Sequence, residues 1–185
     1  MRRISLLQYT ILLLIALNLI SCSSIGAPGP TSAPSSTQAA TYRDPFAYCA
    51  AIGTIDAPDA RYAGAKVPEV IAKGLMKATN ASPDAPLDWF IQNSFWRCMD
   101  AKVYACTVGA NLPCMSKADM SLTPTPEEAD FCQANPNAEF IPAYVTGRET
   151  VYEWRCKKGA PEIVRQVFQA DARGFISDFW YELSP

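Results

Sequence analysis

Six cysteines between residues 49 and 156, in a chain that contains no histidine, set the narrowest limits on this fold. Whether they pair depends on the compartment, and the N-terminus speaks to that. Met1-Arg2-Arg3 is a short positive start, residues 4–20 form an apolar run, and the run closes on Ser21-Cys22. With Ser5, Gln8, Tyr9, Thr10 and Asn18 inside it, the run is short and polar for a permanent span of about 20 apolar residues. It is ordinary for an export signal. An exported domain meets oxidising conditions, so an even set of six cysteines implies three disulfides. Sequence does not choose among the pairings. The expected set joins Cys106 to Cys114 locally, Cys49 to Cys132 between two helices, and Cys98 to Cys156 between two strands. No Cys-x-x-Cys spacing occurs, which argues against a zinc site and against a redox-active pair. The missing histidine also removes Ser-His-Asp and Cys-His catalysis and histidine-based pH sensing. No metal or cofactor is expected.

The seventh cysteine has a different role. Leu19-Ile20-Ser21-Cys22 resembles the lipobox of bacterial lipoproteins. The resemblance implies cleavage before Cys22, a diacylglyceryl group on its thiol and often a palmitate-type acyl chain on the new amine. Two or three chains anchor stably where one does not. Ser23 rather than Asp follows the cysteine, so the family's sorting rule implies the outer membrane in a diderm cell. In a monoderm cell the site is the outer face of the cell membrane. Residues 22–43 then form the lipidated cysteine and a tether. From Ser23 to Thr41 the chain has no charged residue and is rich in Ser, Thr, Pro and Ala. Such a stretch cannot bury enough surface to offset its ordering entropy. An O-glycosylated stalk is the alternative use of that composition.

Residues 44–185 are expected to be one disulfide-stapled α+β domain, with short helices in the N-terminal half and an antiparallel β-meander in the C-terminal half. Asp44-Pro45 is a helix start, with Asp as N-cap and Pro in the first turn, and Gly53 can close that helix. Pro68 opens a second helix, and a brief helical turn is expected over residues 87–91. Phe95-Trp96-Arg97-Cys98 and the apolar run 103–108 flank Asp100-Ala101 as a hairpin. Thr125-Pro126-Glu127-Glu128 is a capping box, stopped by Asn135-Pro136. Strands are expected over 140–146, 150–156, 162–169 and 175–183. Trp-Arg-Cys occurs twice, at 96–98 and 154–156. A duplicated hairpin unit would account for it, and so would two hairpins with similar needs.

Several classes of function can be weighed on residues alone. A net charge of −2 without a basic stripe speaks against nucleic-acid binding. The aromatic runs Trp89-Phe90, Phe95-Trp96 and Phe179-Trp180-Tyr181 pose a choice, because strand neighbours face opposite ways. Either a second layer covers both faces, or Trp89, Trp96 and Trp180 form an exposed platform for a sugar or protein partner. A glycosidase needs two carboxylates about 5–9.5 Å apart, and the candidates are Glu127, Glu128, Asp130, Glu153, Asp178 and Glu182. Glu127 and Glu128 are better explained by the helix N-terminus they occupy. Ser116-Lys117 is a poor Ser-Lys dyad, since adjacent residues do not share a helix face. The segment 109–114 is expected as a connector fixed by a cysteine, or as a rigidly presented loop of the kind inhibitors use. Tyr152-x-Trp154-x-Cys156-x-x-Gly159 resembles the strand-Cys-turn-Gly hairpins of membrane-bound C-type lysozyme inhibitors, which are small lipid-anchored β-barrels. The helical N-terminal half departs from that family, and no functional residue carries over. The expectation is a non-enzymatic envelope domain that binds a protein or glycan partner. The alternatives are an inhibitor of an exogenous hydrolase and, behind it, a carboxylate-based hydrolase.

Overall fold

The computed structural model describes residues 40–109 and 112–185; the export signal, Cys22 and most of the tether lie outside them. The class is α+β, with short helices, antiparallel strands and three disulfides, as the sequence implies. Helix α1 (Pro45–Ile52) begins where Asp44 accepts a 2.7 Å hydrogen bond from the Ala47 N–H. It closes at Gly53, whose φ of 83° suits a residue without Cβ. Helix α2 (Glu69–Ala78) follows Pro68 and buries Ile71, Ala72 and Leu75. Helix α3 (Leu87–Asn93) buries Phe90. Strands β1 (Ser94–Met99) and β2 (Lys102–Thr107) form a hairpin around Asp100 and Ala101, both at positive φ. That turn has the twist the flanking strands require. The last strand, β5 (Tyr181–Leu183), pairs antiparallel with β2. Tyr48, Ile71, Leu75, Trp96, Val103 and Leu183 fill the core that these helices share with one face of the sheet.

The other face of the same sheet carries a buried charge. Arg97 is 1% exposed. Its guanidinium lies 4.5 Å from the Phe175 ring centre and 4.3 Å from that of Trp180, and it is ion-paired with Asp171. Its Nε and Nη1 find no hydrogen-bond partner among the described residues, so the two ring faces stand in for the missing acceptors. Asp171 is itself held on both sides. One oxygen takes Arg97, and the other accepts from the Arg173 and Phe175 N–H groups at 2.8 and 3.1 Å. Lys117 lies over the same Phe175 ring and meets Asp56, which also pairs with Arg173. The 169–180 segment is thereby fastened across the outer face of β1 and β2.

A second unit follows. Helix α4 (Pro126–Ala134) has the full capping box: Glu128 donates its N–H to the Thr125 hydroxyl and accepts the Thr125 N–H in return. A short helix α5 (Ala143–Thr146) leads to the hairpin of β3 (Tyr152–Lys157) and β4 (Ala160–Gln166). This unit repeats the first in detail. The helix carries aromatic-Cys-x-Ala, as Tyr48-Cys49-Ala50-Ala51 and Phe131-Cys132-Gln133-Ala134. Its cysteine is bridged to that of the Trp-Arg-Cys strand, Cys49 to Cys98 and Cys132 to Cys156. The strand cysteine donates its N–H to the carbonyl six residues beyond the helix cysteine, Ile55 at 3.1 Å and Ala138 at 2.8 Å. The second turn residue donates to the carbonyl four residues beyond it, Ala101 to Gly53 and Gly159 to Pro136, both at 2.9 Å. The registers match as well: Trp96, Arg97 and Cys98 face Ala105, Tyr104 and Val103, while Trp154, Arg155 and Cys156 face Ile163, Glu162 and Pro161. The Trp-Arg-Cys echo is a structural repeat.

The two copies differ at one edge. Val103 pairs with Cys98 on one side and Leu183 on the other. Its counterpart is Pro161, which has no N–H to offer, and among the described residues no third strand joins β4.

Three expectations need correction. The pairing of Cys49 with Cys132 and of Cys98 with Cys156 is replaced by a bridge inside each unit, while Cys106 is joined to Cys114. Residues 140–146 are not a strand, because Pro142 caps the helical turn α5. The last strand is confined to β5 and joins β2, so the C-terminal strands belong to two sheets.

The bridges close loops of 49, 24 and 8 residues, and loop closure entropy scales with the logarithm of that length. Paired Cys→Ser variants should therefore lose about 4, 3.5 and 2.5 kcal/mol in that order by denaturant unfolding. For Asp171, burial raises the carboxyl's pKa, yet the Arg97 and backbone hydrogen bonds overcome this and hold it below its ordinary value. Its contribution is complete above the unfolded pKa of about 3.9 and is lost as pH falls through the lower folded value. Asp171→Asn leaves the guanidinium buried without its counter-ion and should cost about 3–5 kcal/mol at neutral pH. Its melting temperature should then vary less between pH 5 and pH 2 than that of the parent.

Candidate functional site

The first unit differs from the second in what lies between helix and hairpin. Cys49 and Cys98 are 49 residues apart, Cys132 and Cys156 only 24. The extra chain forms α2, α3 and an irregular segment, 55–67, that folds back over the start of β1. Hydrogen bonds to buried rings fix that segment. Trp96 donates its indole N–H to the Lys66 carbonyl at 2.8 Å. The Tyr48 hydroxyl donates to Asp59 at 3.2 Å and accepts the Asp59 N–H at 3.0 Å. Tyr62 packs edge-on against Trp96, ring centres 4.8 Å apart, and against Tyr48 at 5.4 Å. Its hydroxyl sits under Gly64, where an added Cβ would fall 2.3 Å from the oxygen. Residues 61–63 also pair with Tyr42, through Tyr42 N–H to Arg61 at 2.8 Å and Ala63 N–H to Tyr42 at 2.7 Å.

A cleft of about 400 Å³ lies between this segment and β1. Pro58, Tyr62 and Val67 from the segment, Phe95 and Trp96 from β1, and Met115 line it. Met115 directly follows Cys114, whose bridge to Cys106 ties its loop to β2. The side formed by residues 58–67 is held by hydrogen bonds to Tyr48 and Trp96, and the volume lies in the range of small-ligand pockets. Asp59 and Lys66 supply charge at the rim. The Asp59 carboxyl is held down to about 2, first by the Arg61 guanidinium and then by the Arg61 N–H. Burial pushes the Tyr62 phenol above its ordinary value. Lys66 lies over the Phe95 ring at 5.6 Å, and among the described residues no carboxylate pairs with it. Ser94 forms part of the wall, and its buried hydroxyl has no hydrogen-bond partner among the described residues.

Of the two arrangements open to the aromatic runs, the covered one holds for Trp96 and Trp180, so Trp89, Trp96 and Trp180 do not share an exposed platform. Trp96 and Trp180 are 3% and 7% exposed, because helices cover one face of the sheet and the 169–180 segment covers the other. Trp89 alone is open, at 44%, edge-on against the buried Phe90. The site instead uses Tyr62, Lys66 and Met115, which sequence reasoning missed. The long interval before the first Trp-Arg-Cys was the only signal of it.

The candidate acids are dispersed and mostly engaged. Glu128 serves the capping box, Glu153 pairs with Arg165 at 2.7 Å, Asp178 accepts the Gln169 N–H at 2.9 Å, and Glu182 takes Lys102 and Tyr104. Glu127 and Asp130 are exposed on α4. Lys117 reaches Asp56 and the Arg173 carbonyl. Among the described residues no three His, Cys, Asp or Glu side chains converge as a metal set would, and no helix is long and apolar enough to cross a membrane. No family model, curated protein or solved structure matches the chain.

A buried hydroxyl without a partner carries an uncompensated desolvation cost. Ser94→Ala should therefore raise stability by about 1 kcal/mol in denaturant unfolding, while leaving the Trp96–Lys66 hydrogen bond in place.

Proposed function

We propose that this chain is a lipoprotein anchored through Cys22 on the extracytoplasmic side of a bacterial membrane, whose 44–185 domain binds a protein or glycan partner. The pinned apolar cleft between residues 58–67 and β1 is the observation that carries the binding reading. The export signal and lipobox support the address, and three disulfides suit an oxidising compartment. Binding is favoured over hydrolysis because Glu128, Glu153, Asp178 and Glu182 are each engaged in caps, ion pairs or hydrogen bonds.

One observation favours an inhibitor as the second reading. The loop closed by Cys106 and Cys114 presents Leu112, with Met115 just beyond it, at 37% and 43% exposure. A covalently closed loop offers apolar side chains with little ordering cost.

Cys22→Ser should release the protein from the membrane fraction; unchanged retention would count against the lipid anchor. Full-length oxidised protein, used as bait on envelope extracts of the producing cell, should retain a partner. Met115→Arg, at an exposed rim position, should lose that partner at least tenfold without lowering the melting temperature. Equal capture by both proteins would exclude the cleft. An inhibitor would also titrate a hydrolase's turnover to zero at one-to-one stoichiometry.

A further inference from the structure

The repeat shows what the first unit does not need. The second unit joins helix to hairpin, bridges its cysteines and makes both backbone bonds across them with half the intervening chain. Closing such a unit therefore demands Ile55, the counterpart of Ala138, but not residues 56–67. Trp154, the counterpart of Trp96, turns its indole N–H to Thr150 close by, at 3.4 Å. Trp96 reaches across to the Lys66 carbonyl at 2.8 Å. That bond holds the backbone of Lys66 against Trp96, and the Lys66 ammonium lies 5.6 Å from the Phe95 ring centre.

The charges at the rim are unequal. Asp59 is matched by Arg61, which reaches both carboxylate oxygens at 2.9 and 3.0 Å. Among the described residues, Lys66 is matched only by the face of Phe95. An apolar cleft of this size with one uncompensated ammonium at its mouth selects an apolar body that carries an anionic end.

We infer that the cleft takes the carboxylate of an apolar or aromatic group, with the carboxylate on Lys66 and the apolar body against Phe95, Tyr62 and Met115. This rests on the cleft being the binding site. The chemistry has two sources, a free apolar acid or the C-terminal residue of a peptide.

The test titrates the full oxidised chain with 4-phenylbutyrate, its amide, a short peptide ending in Leu-Phe, and the same peptide amidated, followed by NMR shifts of the Met115 methyl and the Trp96 indole N–H. Both free carboxylates should bind saturably and about fivefold more tightly than their amides, the scale of an exposed ion pair. Lys66→Gln should remove that preference and leave the amides unaffected. Tighter binding of the peptide names a chain terminus as the ligand; tighter binding of phenylbutyrate names a small acid. The inference is overturned if acid and amide bind equally, if neither acid saturates, or if Lys66→Gln keeps the preference. Should Met115→Arg still abolish partner capture in that case, the cleft remains the binding site and only its ligand class is wrong.

Discussion

The fold depends on burying Arg97. A guanidinium taken out of water is costly unless charge and geometry answer it. Here the answer comes from the far end of the chain, through the Asp171 carboxylate and the faces of Phe175 and Trp180. The requirement is mutual. Without the 169–180 segment, β1 would expose a charge among apolar neighbours, and without Arg97 the segment would lose its anchor. Trp180 directly precedes β5, so the same contact delivers the last strand to β2 and sets Leu183 into the helical core.

Among the described residues, its counterpart in the second unit has no such lid. Arg155 is partly exposed and meets Glu162 on the neighbouring strand at 3.1 Å. Cross-strand pairs of this kind contribute little individually. The repeat thus supports two solutions for the same position. In one the arginine organises a third strand and a covering segment; in the other it is a surface ion pair. The first unit also received the longer intervening chain, and both elaborations lie on the copy that holds the cleft.

Local chemistry was legible in the sequence. Asp44-Pro45, the Thr125–Glu128 box and the Asp100-Ala101 turn act through neighbours a few residues away, and each forms where the residues require. Of the cysteine pairings only the local one, Cys106 to Cys114, was legible; the other two depend on which helix lies beside which strand. The aromatic runs were half legible. Alternation demanded either a second covering layer or an exposed platform, but nothing local revealed that a segment more than seventy residues beyond Arg97 supplies the cover. Residues 140–146 have strand-like composition, yet Pro142 sets a helical start. The cleft was least legible, since its walls come from a segment without periodicity, held by side-chain bonds to buried rings.

Pro161 can be followed one step further. In the first unit the outer edge of β2 is completed by the chain's own C-terminus. In the second, the corresponding edge faces no strand of the described residues, and a copy able to accept one there could take a strand from a neighbour. Such a contact is heterologous and need not close, which is the geometry of a growing fibre. At the position where Val103 meets β5, Pro161 offers no N–H, so this edge presents one donor fewer to any strand arriving from a neighbour.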